Sequence, residues 1–401
     1  MRILVPDYLG APARCFYQDF RDGIIKALCE LGHDTVQFSF SERGQVQLEE
    51  AKTLYRHIDG GKFGLVIDLA CFGYGLSRIL IPSESGASEP LFDVFGVPYA
   101  GWLFDHPFNQ DISVVMAKGC HAIYPDLGHP GQVRLVYPDL RLTGEIFAPP
   151  AIRPENNRSA ENWSSNRDID VLYVGNLVPE VLRRWWREKD SRQWLGMLDP
   201  GFCDTLADAI LYQPERSLHL SLQSAIAEYG MPSASDVRFH LSIVEQFIRH
   251  IVRRDTVVAL AGSGVRMRVV GKGWDRVGLP ANVEIGAQTD YEGFFGLAGR
   301  AKICLDASTY LDGANDRVFS YALNRAVCFT NASGYLRRIF GDHGGMRFFA
   351  MRNLSELGEQ VKALLARPAD LQEAGERAFE IVLSAHTWRH RVNDVMGAMA
   401  L

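Results

Sequence analysis

Short apolar strands alternate with amphipathic helices twice along this chain, and a polar stretch separates the two series. The first series of predicted strands is Ile3–Val5, Val36–Phe40, Leu65–Ala70, Tyr99–Phe104, His121–Tyr124 and, at the edge, Val133–Tyr137. The second series is Ile169–Val174, Met267–Val270, Val283–Ile285, Ala301–Leu305 and Ala326–Thr330. Strands separated by helices form parallel, doubly wound sheets. The sequence therefore predicts two α/β domains, which we expect to face a cleft.

The polar stretch, at about 148–168, is rich in Pro, Asn and Ser and is typical of a linker. About sixty residues of mostly helical character follow the first strand of the second series, which indicates an insertion there. The predicted divisions are an N-terminal Rossmann-like domain at 1–150, a C-terminal Rossmann-like domain at 168–385 with a helical insertion at about 177–238, and a C-terminal helix at 386–401 that returns to the first domain.

Composition excludes several classes of function. A formal net charge of −6 removes the broad attraction that nucleic-acid binding needs, so we expect no nucleic-acid partner. The 7 cysteines are scattered without a Cys-x-x-Cys pair, which is typical of reduced thiols in a cytoplasmic protein. No signal-peptide pattern and no run of ~18 apolar residues is visible, so we expect no membrane span.

Two glycine-containing segments follow strands of the second series. Gly175 and Asn176 end its first strand, where a glycine allows close approach of a phosphate or ribose or simply forms a turn. Gly271, Lys272, Gly273 and Trp274 end the next strand. The lysine there resembles a phosphate-facing point charge, and we expect the glycines on either side of it to leave room for a phosphate. The tryptophan either stacks near a base or fills the interior.

A third segment places polar residues at the start of a helix. We expect Asn315 to cap a helix that runs from about Asp316 to Asn324. Arg317 lies in the first turn, where a cation opposes the helix dipole. With no compensating carboxylate evident in the sequence, an anion bound by Arg317 explains this arrangement most simply.

Asp105 and His106 follow the fourth strand of the first series, before Pro107. A carboxylate or imidazole at a strand end can accept a proton from an incoming hydroxyl group. The same Asp-x-Pro pattern is also typical of a plain turn. Asp105 or His106 is therefore the candidate general base.

The segment from Asn315 to Phe319, continued through Ala322–Thr330, resembles glycosyltransferases of the GT-B fold, and most closely their CgeB-like, spore-maturation branch. The segment from His386 to Arg391 is similar to the His-Thr-aromatic-x-x-Arg signature that closes this branch. Two strands also match, at Asp168–Gly175 and Met267–Trp274.

The resemblance implies transfer of a sugar from a nucleotide-sugar donor, held by the second domain, to an acceptor on the first. The acceptor class stays open between a protein, a glycan and a small molecule. The residues implied around the diphosphate are Gly175, Lys272, Asp316 and Arg317, with Trp274 and the loop after Ile285 beside the base and ribose. We expect no metal cofactor, because Lys272, Arg317 and helix N–H groups would stabilise the departing diphosphate.

Three alternatives remain at this stage. The same two-domain plan also suits a sugar-nucleotide epimerase or a phosphorylase. A catalytically silent module that binds a nucleotide or a partner protein would show the same pattern of strands and loops.

Asp312 and Ser320 stand where many retaining relatives have two glutamates, which weakens the case for a retaining mechanism.

Overall fold

The computed structural model describes residues 1–11, 15–42, 46–83, 86–109, 120–140, 142–159, 167–182, 184–187, 198–232, 234–341 and 343–401. The chain divides into two compact units, Met1–Ala151 with Trp388–Leu401, and Ile152–Thr387. The predicted linker includes residues 160–166, which lie outside the described residues.

A six-stranded parallel sheet forms the centre of the first unit, in the order β2-β1-β3-β6-β7-β8. A short antiparallel pair, β4 and β5, lies apart from it. The elements of this unit, up to the linker, are β1 Arg2–Tyr8, α1 Phe16–Glu30, β2 Asp34–Phe40, α2 Leu48–Gly61, β3 Leu65–Leu69, α3 Tyr74–Ser77, β4 Leu80–Pro82, β5 Ser88–Pro90, α4 Leu91–Val94, β6 Tyr99–Trp102, β7 Cys120–Tyr124, α5 His129–Val136 and β8 Gly144–Phe147.

The edge strand predicted at Val133–Tyr137 is wrong, because this segment belongs to helix α5. Val133 and Val136 lie one turn apart and are both buried, and a proline in the first turn starts the helix. A short apolar run does not distinguish a strand from a buried helix by periodicity alone. The edge position is taken by β8, which pairs with β7.

A second six-stranded parallel sheet forms the centre of the second unit, in the order β11-β10-β9-β12-β13-β14. Its elements are β9 Ile169–Val174, α6 Pro200–Tyr212, α7 Leu218–Tyr229, α8 Ala234–Gly262, β10 Met267–Val270, β11 Val283–Gly286, α9 Tyr291–Arg300, β12 Ala301–Asp306, α10 Asp316–Leu323, β13 Val327–Asn331, α11 Gly334–Phe340, β14 Arg347–Phe349, α12 Leu357–Leu365 and α13 Pro368–Ala385. The two parallel sheets and the helices α6 and α7 confirm the predicted fold class.

Side chains of the insertion bind one another and pack against α8. Trp186 is only 1% exposed, and its indole N–H donates to Asp204 Oδ1 at 3.1 Å. Arg184 pairs with the same carboxylate at 3.0 Å. Both side chains thus bind Asp204 within the insertion, of which Arg183 and Trp194 lie outside the described residues.

The last helix, α14 (Trp388–Ala398), belongs to the first unit. Trp388 packs on Phe20 of α1, with ring centroids 5.0 Å apart. A Cβ atom at Gly23 would lie 2.2 Å from the Trp388 ring, so only glycine fits there. Arg391 completes the anchorage, because its Nε donates to the Pro149 carbonyl at 2.9 Å.

Candidate functional site

The strand order of the second unit reverses between β9 and β12. In doubly wound sheets, ligands bind beyond the carboxyl ends of the two strands at such a switch point. Here those strands end at Val174 and Asp306. The predicted segments after β9, after β10 and at the start of α10 meet at this edge, because Arg317 Nη1 donates to the Val174 carbonyl at 2.9 Å and the Lys272 N–H donates to Asn176 Oδ1 at 2.9 Å.

Asp306 is the centre of this arrangement. Its side chain is 1% exposed, and its Oδ1 lies 3.0 Å from Arg317 Nη2. The Asn315 amide donates to both carboxylate oxygens, at 3.2 and 3.0 Å. Asn315 Oδ1 also accepts from the Val318 N–H, as expected for the residue that caps α10. Sequence reasoning missed Asp306, although an aspartate that ends an apolar strand is the signal that would have identified it.

Arg317 therefore has the compensating carboxylate that the sequence argument assumed to be absent. Burial alone would lower the pKa of the Arg317 guanidinium, but the electrostatic interactions with Asp306 and, to a smaller extent, with Tyr173, Tyr321 and Asp316 together outweigh burial and raise the pKa. Arg317 is a fixed cation that joins β9 to β12. These contacts of Arg317 stabilise the fold. A contact between Arg317 and a ligand stays a prediction.

The two glycines of the loop after β10 serve packing against the loop after β9. A Cβ atom at Gly271, which has φ +144°, would lie 2.4 Å from the Gly175 carbonyl oxygen. At Gly273, with φ +84°, it would lie 2.1 Å from the Leu177 carbonyl oxygen. We expected these glycines to leave room for a phosphate; the structure shows that they leave room for neighbouring backbone.

Trp274 is fully buried, so the expectation that it borders a base or ribose is corrected. Its indole N–H donates to the Gly175 carbonyl at 2.7 Å, and its ring meets Tyr173 edge-on at 5.4 Å. Gly175 itself is confined, because a Cβ atom would lie 3.0 Å from Arg317 Nη1. Trp274 and Gly175 thus fix the packing between the loop after β9 and the loop after β10.

Lys272 stands at the surface of this loop. Its side chain is exposed, while its backbone is held on both sides, by Asn176 Oδ1 and by the Leu177 N–H, which donates to the Lys272 carbonyl at 2.9 Å. Within the part of the chain that the structure describes, no carboxylate pairs with its ammonium group. The positive charge of Lys272 is therefore carried by a residue whose backbone is fixed by hydrogen bonds on both sides.

The side chain of Asp316 is not suited to bind a phosphate group. Its Oδ2 accepts from the Tyr291 hydroxyl at 2.6 Å, and burial raises the pKa of its carboxyl group. An ionised carboxylate would repel a diphosphate. Asp316 is better explained as a first-turn residue of α10 that binds α9 through Tyr291.

Arg253 of α8 is the cation that sequence reasoning missed. Its Nη1 donates to the Asn176 carbonyl at 3.2 Å, which places it beside the loop after β9. Its partly buried position arises because the long helix α8 runs along the switch point. A single arginine in an amphipathic helix gives no local signal of this contact.

The candidate bases lie in the first unit, after β6. Asp105 is partly buried, and its Oδ1 accepts from the His106 N–H at 2.8 Å. His106 is only 2% exposed, and its ring lies against Phe108 and His129 at 5.4 and 5.1 Å. Asp105 is thus the more accessible of the two, and both assignments stay predictions.

The sequence contains two spacings that metal ligands often have, Asp168-x-Asp170 and His386-x-x-x-His390. Asp170 pairs with Arg266 at 2.9 Å, on the strand end opposite to the switch point, and Asp168 pairs with Arg300. His386 stacks on Phe319 at 5.1 Å. The described residues contain no group of three or more His, Cys, Asp or Glu side chains placed to hold a metal ion.

Comparison with known proteins agrees with the geometry. Residues 245–397, which include α8 from Glu245 onward and α10, match the family model described as glycosyl transferase-like. No curated protein sequence matches the chain significantly. Among the ranges that the structure describes, no helix is long and apolar enough to cross a membrane.

Several solved structures are similar to the whole chain. Sucrose-phosphate synthase of Thermosynechococcus elongatus has a TM-score of 0.56 at 10% identity, over 100% of this chain and 98% of that one. An alpha-glucosyltransferase in complex with UDP and DNA has a TM-score of 0.56 at 11% identity, over 100% of both chains. HepE of Anabaena, in complex with UDP and glucose, has 0.56 at 9% identity, over 100% and 99%. The chain therefore has the GT-B fold of glycosyltransferases, with a glycosyl transferase-like segment at residues 245–397.

Proposed function

We propose that this protein is a glycosyltransferase that moves a sugar from a nucleotide-sugar donor to an acceptor hydroxyl group. The observation that carries the proposal is the exposed Lys272, which pairs with no carboxylate of the described residues and whose backbone is hydrogen-bonded at the switch point of the second unit. Nucleotide phosphates bind at this position in doubly wound sheets. The fold and the matched segment support the same class of reaction.

The donor is proposed to lie along the carboxyl edge of the second sheet. Its diphosphate would lie over Gly175 and Asn176, next to Lys272, and its base towards the loop after Ile285. Two of the structurally similar proteins were solved with UDP, which supports a nucleoside diphosphate as the leaving group.

Transfer needs no metal in this proposal. The bond from the anomeric carbon to the diphosphate breaks while the acceptor oxygen bonds to that carbon, and the acceptor proton passes to a base. Asp105 or His106, at a strand end in the first unit, is proposed as that base, which corresponds to an inverting mechanism. Lys272 would stabilise the negative charge that develops on the diphosphate.

The seven cysteines are all free, and we propose a cytoplasmic protein.

Product analysis tests this function against its competitors. The protein is incubated with UDP-, GDP- and dTDP-sugars and a mixture of candidate acceptors, with and without excess EDTA. We expect free nucleoside diphosphate together with a glycosylated product, at the same rate in EDTA. An isomerised sugar nucleotide would identify an epimerase, a sugar phosphate would identify a phosphorylase, and binding without any product would identify a silent module.

A further inference from the structure

We propose that Glu245 of α8 is a positioning residue, which fixes the loop after β12 through Thr309 and thereby holds that loop in place against the sugar of the donor. This loop, residues 307–314, runs from Asp306 to Asn315 and follows one of the two strands of the switch point. The diphosphate is proposed to lie over the loop after β9, so the sugar attached to it would face the loop after β12. The assignment of a sugar to this place rests on the proposed function.

The loop after β12 lies outside the helices and strands of the second unit, and side chains and backbone of neighbouring elements hold it. Asn331, the last residue of β13, accepts from the Ser308 N–H at 2.8 Å and donates to the Ser308 carbonyl at 2.9 Å. The Leu311 carbonyl accepts from the N–H of Gly334, the first residue of α11, at 2.8 Å. These bonds fix the loop to β13 and α11.

Thr309 is held by a different element, the long helix α8. Its hydroxyl donates to Glu245 Oε1 at 2.7 Å, across 64 positions of the chain. Glu245 is only 1% exposed, and its two carboxylate oxygens accept from Arg249 Nε and Nη2, each at 2.9 Å. The guanidinium keeps the buried carboxylate charged, and a charged acceptor makes a stronger hydrogen bond than a neutral one. Glu245 therefore anchors the loop after β12 to α8.

A pocket lies against this side of the loop. Ser308, Thr309 and Leu311 line it together with Glu245. Much of the remaining wall is apolar and is formed by side chains of α6 and α8, namely Ile210, Leu211, Ile248 and Val252. Because the pocket is open space, packing does not confine the loop there. The hydrogen bond of Thr309 confines it instead, and the apolar surroundings strengthen that bond.

A buried ion pair is weak evidence of a purely stabilising role, because well-packed apolar side chains of similar volume stabilise a fold as much or more. The pair of Glu245 and Arg249 differs from apolar side chains in giving Thr309 an acceptor of fixed direction. A small displacement of groups around a reacting centre lowers turnover strongly. We therefore expect loss of this bond to affect turnover more than stability.

Hydrogen–deuterium exchange of residues 307–314, measured on the full chain without ligand, tests the effect on the loop. The variants are Thr309→Val, which removes the hydroxyl group, Thr309→Ser, which keeps it, and the double variant Glu245→Leu with Arg249→Met. The matched control is Thr256→Val, because Thr256 is a buried residue of α8 whose hydroxyl donates to a carbonyl of the same helix at 2.7 Å.

We expect residues 307–314 to exchange roughly tenfold faster in Thr309→Val and in the double variant, because a hydrogen bond to a charged group is lost. Thr309→Ser and Thr256→Val should keep the wild-type rates in this segment. The double variant should melt at or above the wild-type temperature, since apolar side chains replace the ion pair.

Turnover is measured with the donor and acceptor that product analysis identifies among the UDP-, GDP- and dTDP-sugars. We expect Thr309→Val to lower kcat by roughly tenfold to a hundredfold. The KM for the donor should stay close to the wild-type value, as for an interaction that acts in the transition state. Thr309→Ser should recover most of kcat.

Wild-type exchange of residues 307–314 in Thr309→Val would overturn the proposal. Wild-type kcat in a Thr309→Val protein, whether its melting temperature is lowered or not, would show that the contact is only structural and would overturn it as well. Failure of the proposed function is separate: the wild type would transfer no sugar, and exchange in the ligand-free protein would still decide whether Glu245 fixes the loop.

Discussion

Arg317 and Asp306 form an ion pair at 3.0 Å, at the point where β12 ends and α10 begins. The carboxylate is almost wholly buried and is also bound by the Asn315 amide. The guanidinium in turn donates to the last residue of β9, Val174. One side chain thus joins the two strands of the switch point, where the donor site is proposed.

The first prediction concerns this pair. Arg317→Ala leaves Asp306 buried without a counter-ion, which should lower the free energy of unfolding by about 3–5 kcal/mol. Urea unfolding measures the change. Arg317→Met with Asp306→Leu removes both charges and should recover much of the loss. A stability within about 0.5 kcal/mol of wild type for Arg317→Ala would contradict the structural role.

The sequence predicts the fold well because its signals are local. Strands ending at Val174 and Val270 appear as apolar runs bounded by glycine, and Asn315 is a typical helix cap. The segment around Val133 is misassigned because a short, mostly apolar run suits a helix and a strand equally.

The candidate site is predicted less completely because its contacts are distant in sequence. Asp306 reaches Arg317 only after the loop between them folds, and Arg253 reaches Asn176 across 77 positions. Sequence spacing therefore reveals that a cation is present, but not which carboxylate neutralises it. For the same reason the glycines of the Lys272 loop suggested space for a phosphate, although neighbouring backbone occupies that space.

The second prediction concerns Lys272. Lys272→Ala should weaken binding of the preferred sugar nucleotide by about 1.5–3 kcal/mol, because a charged hydrogen-bond donor is lost. The melting temperature without ligand should not change, since the side chain is exposed. Calorimetry on Lys272→Ala is compared with Arg276→Ala, a nearby exposed cation paired with Glu180. Equal affinities of the wild type and Lys272→Ala would remove Lys272 from the site.

The third prediction concerns pH. Burial lowers the pKa of His250 from 6.5 to about 4, and its Nδ1 accepts from the Val178 N–H at 3.4 Å. Between these two pH values the unfolded chain binds a proton that the folded chain does not, so stability falls as pH falls through this window. Protonation of this imidazole in the folded state therefore opposes folding at acid pH.

His250→Gln should therefore flatten the dependence of unfolding free energy on pH between 7 and 4.5. Exposed His57→Gln is the control and should follow the wild-type curve. Parallel curves for the wild type and His250→Gln would show that His250 does not titrate in this way.

The fourth prediction concerns the base. Asp105→Asn and His106→Ala are made separately, and the base should lower turnover by about 10²–10⁴-fold when removed. Donor affinity should be unchanged, because these residues belong to the first unit. Circular dichroism checks that the His106 variant folds, since this side chain is buried. Wild-type turnover in both variants would mean that another residue is the base or that the mechanism is retaining.

Binding of a nucleotide sugar to the second unit through its diphosphate is measured by a thermal-shift screen in excess EDTA. Wild-type protein is melted with UDP-, GDP- and dTDP-sugars and with a CMP-sugar, which has only one phosphate. A ligand that binds only the native state raises the melting temperature, and at 100 times its Kd it adds about 2.7 kcal/mol. We predict a rise with at least one diphosphate sugar and none with the CMP-sugar. No rise with any diphosphate sugar, or a rise with the CMP-sugar alone, would contradict the account.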